Sequence, residues 1–455
     1  MFNKIIRLFR KKKPASRDGS TALIIPRAKH KVSRSDFSEG SLKVLNRLHK
    51  AGYSAYLVGG SIRDLVLGRV PKDFDIATNA HPEEVKKLFS NCILIGKRFR
   101  LAHVRFGRDI IEVATFRSGA QDGGQFQDQH GMILRDNLYG TLEQDVMRRD
   151  FTINALYYNI ADFSLVDYVD GLQDVKSGII RMIGDPVTRY KEDPVRMLRA
   201  IRFAAKLDFV LAPATAQPIK ELAYLLGKIS PSRLFEEYLK LFLLGAALKT
   251  YAYLLEYDLL QYLFPQLLIH SDEFSKKFIH IALQNTDSRI LEGKSLSPAF
   301  LLVVFLLPDI LKDVKAALHK GVKDTIAWMI AIESCLNSQQ SSVSVPRKFV
   351  LTMREVLELQ YKLDTNRTLK KVATIFEHPR YRAAYDIILL RAEAGDHAAE
   401  LLATWWTTYT TASEEQRLVM LKECRKILPK KYKSKSKAKK SQAKAKVTNE
   451  EISSS

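Results

Sequence analysis

The sequence predicts an α+β chain in which a mixed head of short strands and helices is followed by an all-helical body and a basic tail. Three observations carry this reading. Between Tyr53 and Val169, short β-branched and aromatic runs alternate with glycine-marked turns and brief helical patterns. From about Asp193 to Glu423 the apolar residues recur at helical spacing. Lys430 to Lys446 holds nine Lys among Ser, Ala, Gln and one Tyr, with no apolar face to bury, and is expected to be disordered. At 455 residues the chain is too long for one domain, and 46% hydrophobic against 27% charged residues leaves material for more than one core.

Charge narrows the class of partner. The net charge is +22. Residues 1–34 contribute +10 and residues 422–455 contribute +9, so the body is close to neutral. Two basic arms on a neutral globule are the pattern of an enzyme or binding module tethered to a polyanion. Cys92, Cys335 and Cys424 are far apart and form no C-x-x-C pair, which argues against a disulfide framework or a cysteine zinc site and for a reducing, cytoplasmic setting. Met1 to Lys13 lacks the apolar core of a secretory leader, and no run of 18 apolar residues is present. Phe2, Ile5, Ile6, Leu8 and Phe9, interleaved with cations, support at most weak peripheral membrane contact.

In chain order, residues 14–35 read as an arm, and Ser41 to Lys50 as an amphipathic helix closed by Ala51-Gly52. Tyr53 to Val58 reads as a strand, Gly59-Gly60 as a sharp turn and Ile62 to Leu67 as a short helix stopped by Gly68. Asp73 to Thr78 is the next strand and Pro82 to Phe89 the next helix, with proline in its first turn. Cys92 to Ile95, Leu101 to Phe106 and Ile110 to Phe116 follow as strands, and the polar, glycine-rich stretch Arg117 to Met132 as a loop. Phe151 to Ile160 and Ser164 to Val169 read as strands, with a turn at Asp170-Gly171. The helical part is interrupted by Asn337 to Pro346, a joint between two units. The expected divisions are a basic arm (1–34), a head (35–185), a helical neck and body (186–336), a C-terminal helical domain (346–424) and a tail (425–455).

The chemistry starts from Asp73-Phe74-Asp75. In an extended strand residues i and i+2 share a face, so the two carboxylates point together while Phe74 packs behind. Paired carboxylates repel unless a cation neutralises them, and hard Mg²⁺ prefers oxygen ligands together with substrate phosphates. Upstream, Gly59-Gly60-Ser61 lies between a strand and a helix, where free backbone N–H groups can hold a phosphate. Together these suggest nucleotidyl transfer. Asp150 and Glu112 are the candidates for a third carboxylate. Arg149 and Asn154 suit phosphate and ribose hydroxyls. Glu192-Asp193-Pro194 opens a helix carrying Arg196, Arg199 and Arg202 at spacing three, which is either a solvated face or an edge that reads a base.

The motifs Gly59-Gly60-x-x-Arg63-Asp64 with Asp73-x-Asp75, Arg148-Arg149-Asp150-x3-Asn154, Asp167-x3-Gly171-x2-Asp174 and Glu192-Asp193-x2-Arg196-x2-Arg199-x2-Arg202-Phe203 resemble, in order, those of the class II nucleotidyltransferases. That superfamily holds tRNA CCA-adding enzymes and bacterial poly(A) polymerases. Leu94-Ile-Gly-Lys-Arg-Phe-Arg-Leu-Ala-His-Val104 and the Lys-rich tail resemble the poly(A) polymerase branch. The resemblance implies a polymerase-β-like head and template-independent addition of AMP from ATP to RNA 3′ ends, with release of pyrophosphate. It also implies Asp73 and Asp75 on two Mg²⁺, Asp150 as a further essential acid, and Gly59, Gly60 and Arg63 on the triphosphate side. Asp193 and Arg196 would read adenine, with Arg149, Asn154, Arg199 and Arg202 completing the nucleotide site. A monomer that acts in the cytoplasm on mRNA, small RNA and decay fragments, beside RNA-decay proteins, is the corresponding expectation. The alternatives are a CCA-adding enzyme and a non-catalytic RNA-binding protein on the same scaffold.

Overall fold

A computed structural model describes residues 22–96, 100–118, 139–269, 272–365 and 369–427. The first 21 residues, Lys97 to Phe99, residues 119–138, which include most of the glycine-rich loop, and the Lys430 to Lys446 tail lie outside the described residues. The chain divides into two compact units, one of Met1–Pro265 with Ile290–Gly293 and Ser342–Ser344, the other of Gln266–Arg289, Lys294–Ser341 and Val345–Ser455.

The first unit opens with β1 (Leu23–Ile25), α1 (Glu39–Lys50), β2 (Ala55–Val58), α2 (Gly60–Val66), β3 (Asp75–Thr78) and α3 (Pro82–Leu88). It continues through β4 (Cys92–Ile95), β5 (Leu101–Phe106), β6 (Asp109–Thr115), α4 (Leu142–Met147), β7 (Leu156–Asn159), β8 (Leu165–Asp167), α5 (Gly171–Ser177) and β9 (Ile179–Ile180). After these come α6 (Pro186–Glu192), α7 (Val195–Leu207), β10 (Val210–Leu211), α8 (Pro213–Ala216), α9 (Pro218–Leu222) and α10 (Pro231–Phe242).

Eight strands form one sheet in the order β1-β8-β7-β2-β3-β6-β5-β4. Every pairing is antiparallel except β3 with β6, where α3 and the β4–β5 hairpin supply the crossover that a parallel pair requires. The apolar stripe of α1 (Val44, Leu45, Leu48), fully buried, covers one face of the sheet. On the other face Val58, Ala77, Phe116, Val146, Ala155, Tyr157, Val166 and Ile183 form a continuous core. Alternation along β3 therefore leaves Asp75 on the same face as buried Ala77, at the strand's open end.

Four local expectations are corrected. Leu23–Ile25, read as part of the arm, is an edge strand paired with β8 through Leu23↔Asp167. The strand expected from Asp73 starts at Asp75, although Phe74 is still buried between two exposed aspartates and its ring lies 6.3 Å from that of Phe37. The strand expected over Phe151 to Ile160 is broken by a 3₁₀ turn at Thr152–Asn154, because the Thr152 hydroxyl donates to buried Asp174 (2.7 Å) and Gly171 packs onto the Thr152 carbonyl. A Cβ at position 171 would stand 2.3 Å from that oxygen, so only glycine fits. Asn337 to Ser342, expected in a joint, completes the helix Asp324–Ser342.

The second unit is helical. Pro298–His319, buried all round from Leu301 to Ile310, packs on Arg347–Thr365; that helix packs on Tyr381–Glu393, which pairs with His397–Thr411. Inside it, buried Arg391 is held by Asp396 (2.8 Å) and Asp364 (3.7 Å). No helix among the described residues is long and apolar enough to cross a membrane.

Candidate active site

The open end of β3 faces a cleft of about 540 Å³ lined by Asp75, Glu112, Arg148, Arg149, Asp150, Asp193, Arg196 and Arg199, and by Arg233, Glu236, Glu237 and Lys240 of α10. Asp75 is the register partner of Val58 on β2 and of Glu112 on β6. Paired residues of neighbouring strands share a face, so the Glu112 carboxylate stands beside that of Asp75. The Asp73 and Asp75 carboxylates make no hydrogen bond or ion pair among the described residues. Although solvent reaches Asp75, its recess is desolvating, and Glu112 and Asp73 add like charge. These push its carboxyl up to about 6, against a smaller opposing pull from Arg149.

That is a fit to a divalent cation: oxygen donors only, crowded and without a cationic partner. Among the described residues no three His, Cys, Asp or Glu side chains close on a point. An open pair of carboxylates is the donor set that Mg²⁺ shares with substrate phosphates rather than a closed cage.

Asp150 is differently placed. Its Oδ2 accepts from Arg199 Nε (2.6 Å) and Nη2 (2.5 Å), and its Oδ1 accepts from the Phe151 backbone (2.8 Å) and Asn154 Nδ2 (3.4 Å). Burial opposes its charge, but Arg199 and these donors outweigh it and hold the carboxyl below the usual range. Both oxygens are occupied, so of the two candidates for a third metal-site acid it is Glu112 that stands in reach of Asp75.

Arg149 is aimed by a buried anion that sequence reasoning missed. Asp145 sits three and four residues before Arg148 and Arg149, and α4 brings all three together. Asp145 accepts from Arg148 (2.7 Å), Arg149 (3.1 Å) and the Tyr157 hydroxyl (2.5 Å). Burial works against its charge, but the two guanidinium groups prevail and bring its carboxyl down to about 2. Arg149 Nε also donates to the Tyr157 hydroxyl (2.6 Å). Its Nη1 lies 3.7 Å from where a side chain on Gly59 would begin, and Gly59 takes φ +79°, which opens the turn into α2. The D-x-x-R-R spacing was the available signal.

Around the fourth motif, Glu192 bridges Arg189 (2.6 Å) and Arg196 (2.7 Å), and Arg196 also donates to the Arg189 carbonyl (2.7 Å). Asp193 accepts from Arg233 of α10 (2.7 Å). Asp193 and Arg196 thus face one cleft with fixed orientations.

Gly59 and Gly60 lie outside the cleft lining, and three expected nucleotide-binding side chains are not brought there either. Arg63 is buried, with Nε and Nη2 on Asp64 Oδ1 (2.9 and 2.8 Å) and Nη1 on Asn154 Oδ1 (2.5 Å), so its donors are spent inside the head. Asn154 is buried between Arg63 and Asp150 and holds both rather than opening to a ribose. Arg202 stacks on Phe203 (4.8 Å) outside the cleft lining. His103, the cross-strand partner of Glu112 on β5, was also missed as a site neighbour; its Nε2 lies 3.6 Å from the Glu112 carboxylate.

The site's surroundings match known proteins along nearly the whole chain. Residues 55–181 match the poly A polymerase head domain, 208–269 the probable RNA and SrmB-binding site of polymerase A, and 320–444 the polymerase A arginine-rich C-terminus. Poly(A) polymerase I of Salmonella typhi is 47% identical over 412 residues, 88% of each chain, and that of Escherichia coli O157:H7 is 48% identical over 413 residues. The chain belongs to the bacterial poly(A) polymerase I family. It is accordingly a nucleotidyltransferase and a poly(A) polymerase with an RNA-binding region. The CCA-adding enzyme of Lactobacillus helveticus is 44% identical, but over 44% of this chain only. The fold is shared more widely: a CCA-adding enzyme in its apo form II superposes with TM-score 0.59 at 20% identity, over 93% of this chain and 99% of that one.

Proposed function

We propose that the cleft transfers AMP from ATP to the 3′ hydroxyl of RNA, with pyrophosphate leaving, and that Asp73, Asp75 and Glu112 hold two Mg²⁺ ions. The observation that carries this is that Asp75 and its register partner Glu112 line one cleft with Arg149, Asp193 and Arg196. When bound, the metal ions supply charge stabilisation and activate the attacking hydroxyl. The chain's own residues orient the reactants. Arg149, held by Asp145 and Tyr157, offers Nη1 to a phosphate beside the Gly59 turn. Asp193 accepts from the adenine amino group and Arg196 donates to a ring nitrogen, an edge pairing that selects the base. Asp150 and Arg199 act as a clasp that keeps the Arg148-Arg149-Asp150 segment against α7, rather than as a metal ligand.

Tails of this kind would mark RNA for decay, on mRNA, small RNA or decay fragments, with the enzyme a cytoplasmic monomer near RNA-decay proteins. Incubation of a generic RNA and Mg²⁺ with each nucleotide separately tests the reading. A long ladder with ATP alone supports it; a short C-C-A addition would favour the CCA-adding reading, and no product would make the chain a non-catalytic binder.

A further inference from the structure

The basic stripe of α7 does not end in the cleft. Arg196, Arg199, Arg202 and Lys206 recur at intervals of three, three and four, and at 1.5 Å per residue the last three span about 10 Å of one helix side. The first two are neutralised, Arg196 by Glu192 and Arg199 by Asp150. Beyond them the charge balance changes.

Three guanidinium groups surround the single ring of Phe203: Arg63 at 5.4 Å, Arg199 at 5.6 Å and Arg202 at 4.8 Å. Arg63 is met by Asp64 and Arg199 by Asp150. Arg202 has no hydrogen bond or ion pair among the described residues. Two acids reach it at longer range: Asp150, held by Arg199, and Glu237, whose Oε1 takes Lys240 (2.8 Å) while its buried Oε2 makes no hydrogen bond. Lys206 has Arg63, Arg202 and Lys72 around it and one acid, Asp64, whose Oδ1 already takes two bonds from Arg63. Burial and these like charges pull Arg202 down to about 10 and lower Lys206. Cations that crowd one another and share acids already engaged elsewhere gain stability from an incoming anion. Lys72 directly precedes Asp73.

We propose that Arg202 and Lys206, with Lys72, bind phosphate groups of the terminal nucleotides of the RNA substrate and lead its 3′ end along α7 towards Asp73 and Asp75. This rests on the reading of the cleft as the site of AMP transfer. The nucleotide's triphosphate offers the same chemistry as an RNA phosphodiester, but none of these three cations lines the cleft in which Asp193, Arg196 and Arg149 stand. The phosphates outside the cleft are those of the RNA.

The test uses the full-length protein and its variants Arg202→Gln, Lys206→Gln, the double variant and Arg202→Lys. Binding of a single-stranded RNA oligonucleotide is measured without ATP over a salt series, and KM is measured for RNA and ATP separately. Each phosphate contact removed lowers the log–log salt slope by about 0.7, so the double variant loses about 1.4. Its KM for RNA rises severalfold while its KM for ATP stays within twofold, and Arg202→Lys restores most of the RNA affinity. A rise in KM for ATP with intact RNA binding would assign the site to the triphosphate and overturn the proposal. Unchanged RNA binding and slope would reduce the stripe to a solvated face. Because Lys206 is exposed, Lys206→Gln keeps the fold, and its own loss of about 0.7 in slope is required even if an Arg202 variant misfolds. Wild-type protein that binds RNA but incorporates no AMP would defeat the reading of the cleft, while the comparison of binding without ATP still decides the role of the stripe.

Discussion

Arg199 grips Asp150 through two nitrogens, Nε at 2.6 Å and Nη2 at 2.5 Å from the same Oδ2, and so ties the segment that follows α4 to the middle of α7 across 49 positions of sequence. Asp150 is largely buried while about a third of Arg199 is open to the cleft (33% against 10% exposed), so removing the arginine strands a mostly buried carboxylate. Arg199→Ala is expected to cost about 2 kcal/mol in urea denaturation, a figure reduced for the solvent that reaches the arginine. Replacing both by Gln and Asn is expected to cost less than the sum of the singles, and an additive double-mutant cycle would show the pair to be uncoupled.

Asp75 carries a stability penalty that function imposes. Its folded-state carboxyl lies above the unfolded value, so the folded state binds the extra proton and stability falls as pH rises from about 4 through about 6. In a chelator at neutral pH, Asp75→Asn is expected to stabilise the protein by about 1 kcal/mol, a figure reduced for the solvent that reaches the side chain. The same variant, like Asp73→Asn, should lose several orders of magnitude in AMP incorporation with RNA affinity retained. A lower melting temperature for Asp75→Asn in chelator would contradict the like-charge account.

Asp145 has the opposite sign. Its carboxyl is depressed to about 2, so its contribution is complete above the unfolded value near 4 and is lost as pH falls from about 4 to about 2. That contribution is about 2 kcal/mol, and Asp145→Asn should remove it and flatten the acid limb of the stability curve. The variant should also raise KM for ATP, since Arg149 loses the anion that aims it. An acid limb identical to wild type would assign acid sensitivity elsewhere.

Base choice should depend on a residue that does not touch the base. Arg196→Ala is expected to weaken discrimination between ATP and CTP by about 1–3 kcal/mol in single-nucleotide competition. Glu192→Gln, which loosens Arg196 and Arg189 together, should produce part of the same loss with KM for ATP moving more than kcat. Unchanged selectivity in both would place base reading on α10.

Much of this protein was legible in its residues. The strands Cys92–Ile95 and Leu101–Phe106 and the helix beginning at Pro82 follow from local alternation, glycine stops and a first-turn proline. The Asp73-Phe74-Asp75 alternation gives two exposed carboxylates about a buried ring whether or not Asp73 is counted in the strand. Phe151 to Ile160 misled because an apolar run does not reveal that Thr152 will donate to Asp174 and Gly171 will press on its carbonyl. Arg63, Asn154, Arg199 and Arg202 look alike as polar members of motifs, and nothing in their spacing separates a donor facing a ligand from one consumed by the protein.

Residue type and short-range periodicity set the α+β order of elements, the carboxylate pair and the glycine turn, and the four ordered motifs carried the resemblance to the family. The tertiary structure alone decided which charges are spent. Asp150 is neutralised by Arg199, Arg63 by Asp64 and Asn154, and Arg149 by Asp145, whereas Asp75 and Arg202 are left without partners among the described residues. Whether a charge is free depends on distances of a few ångströms between groups up to 91 positions apart in the chain and on how much water reaches them. Local pattern carries neither quantity; both are set only when β3, α4 and α7 converge on one cleft.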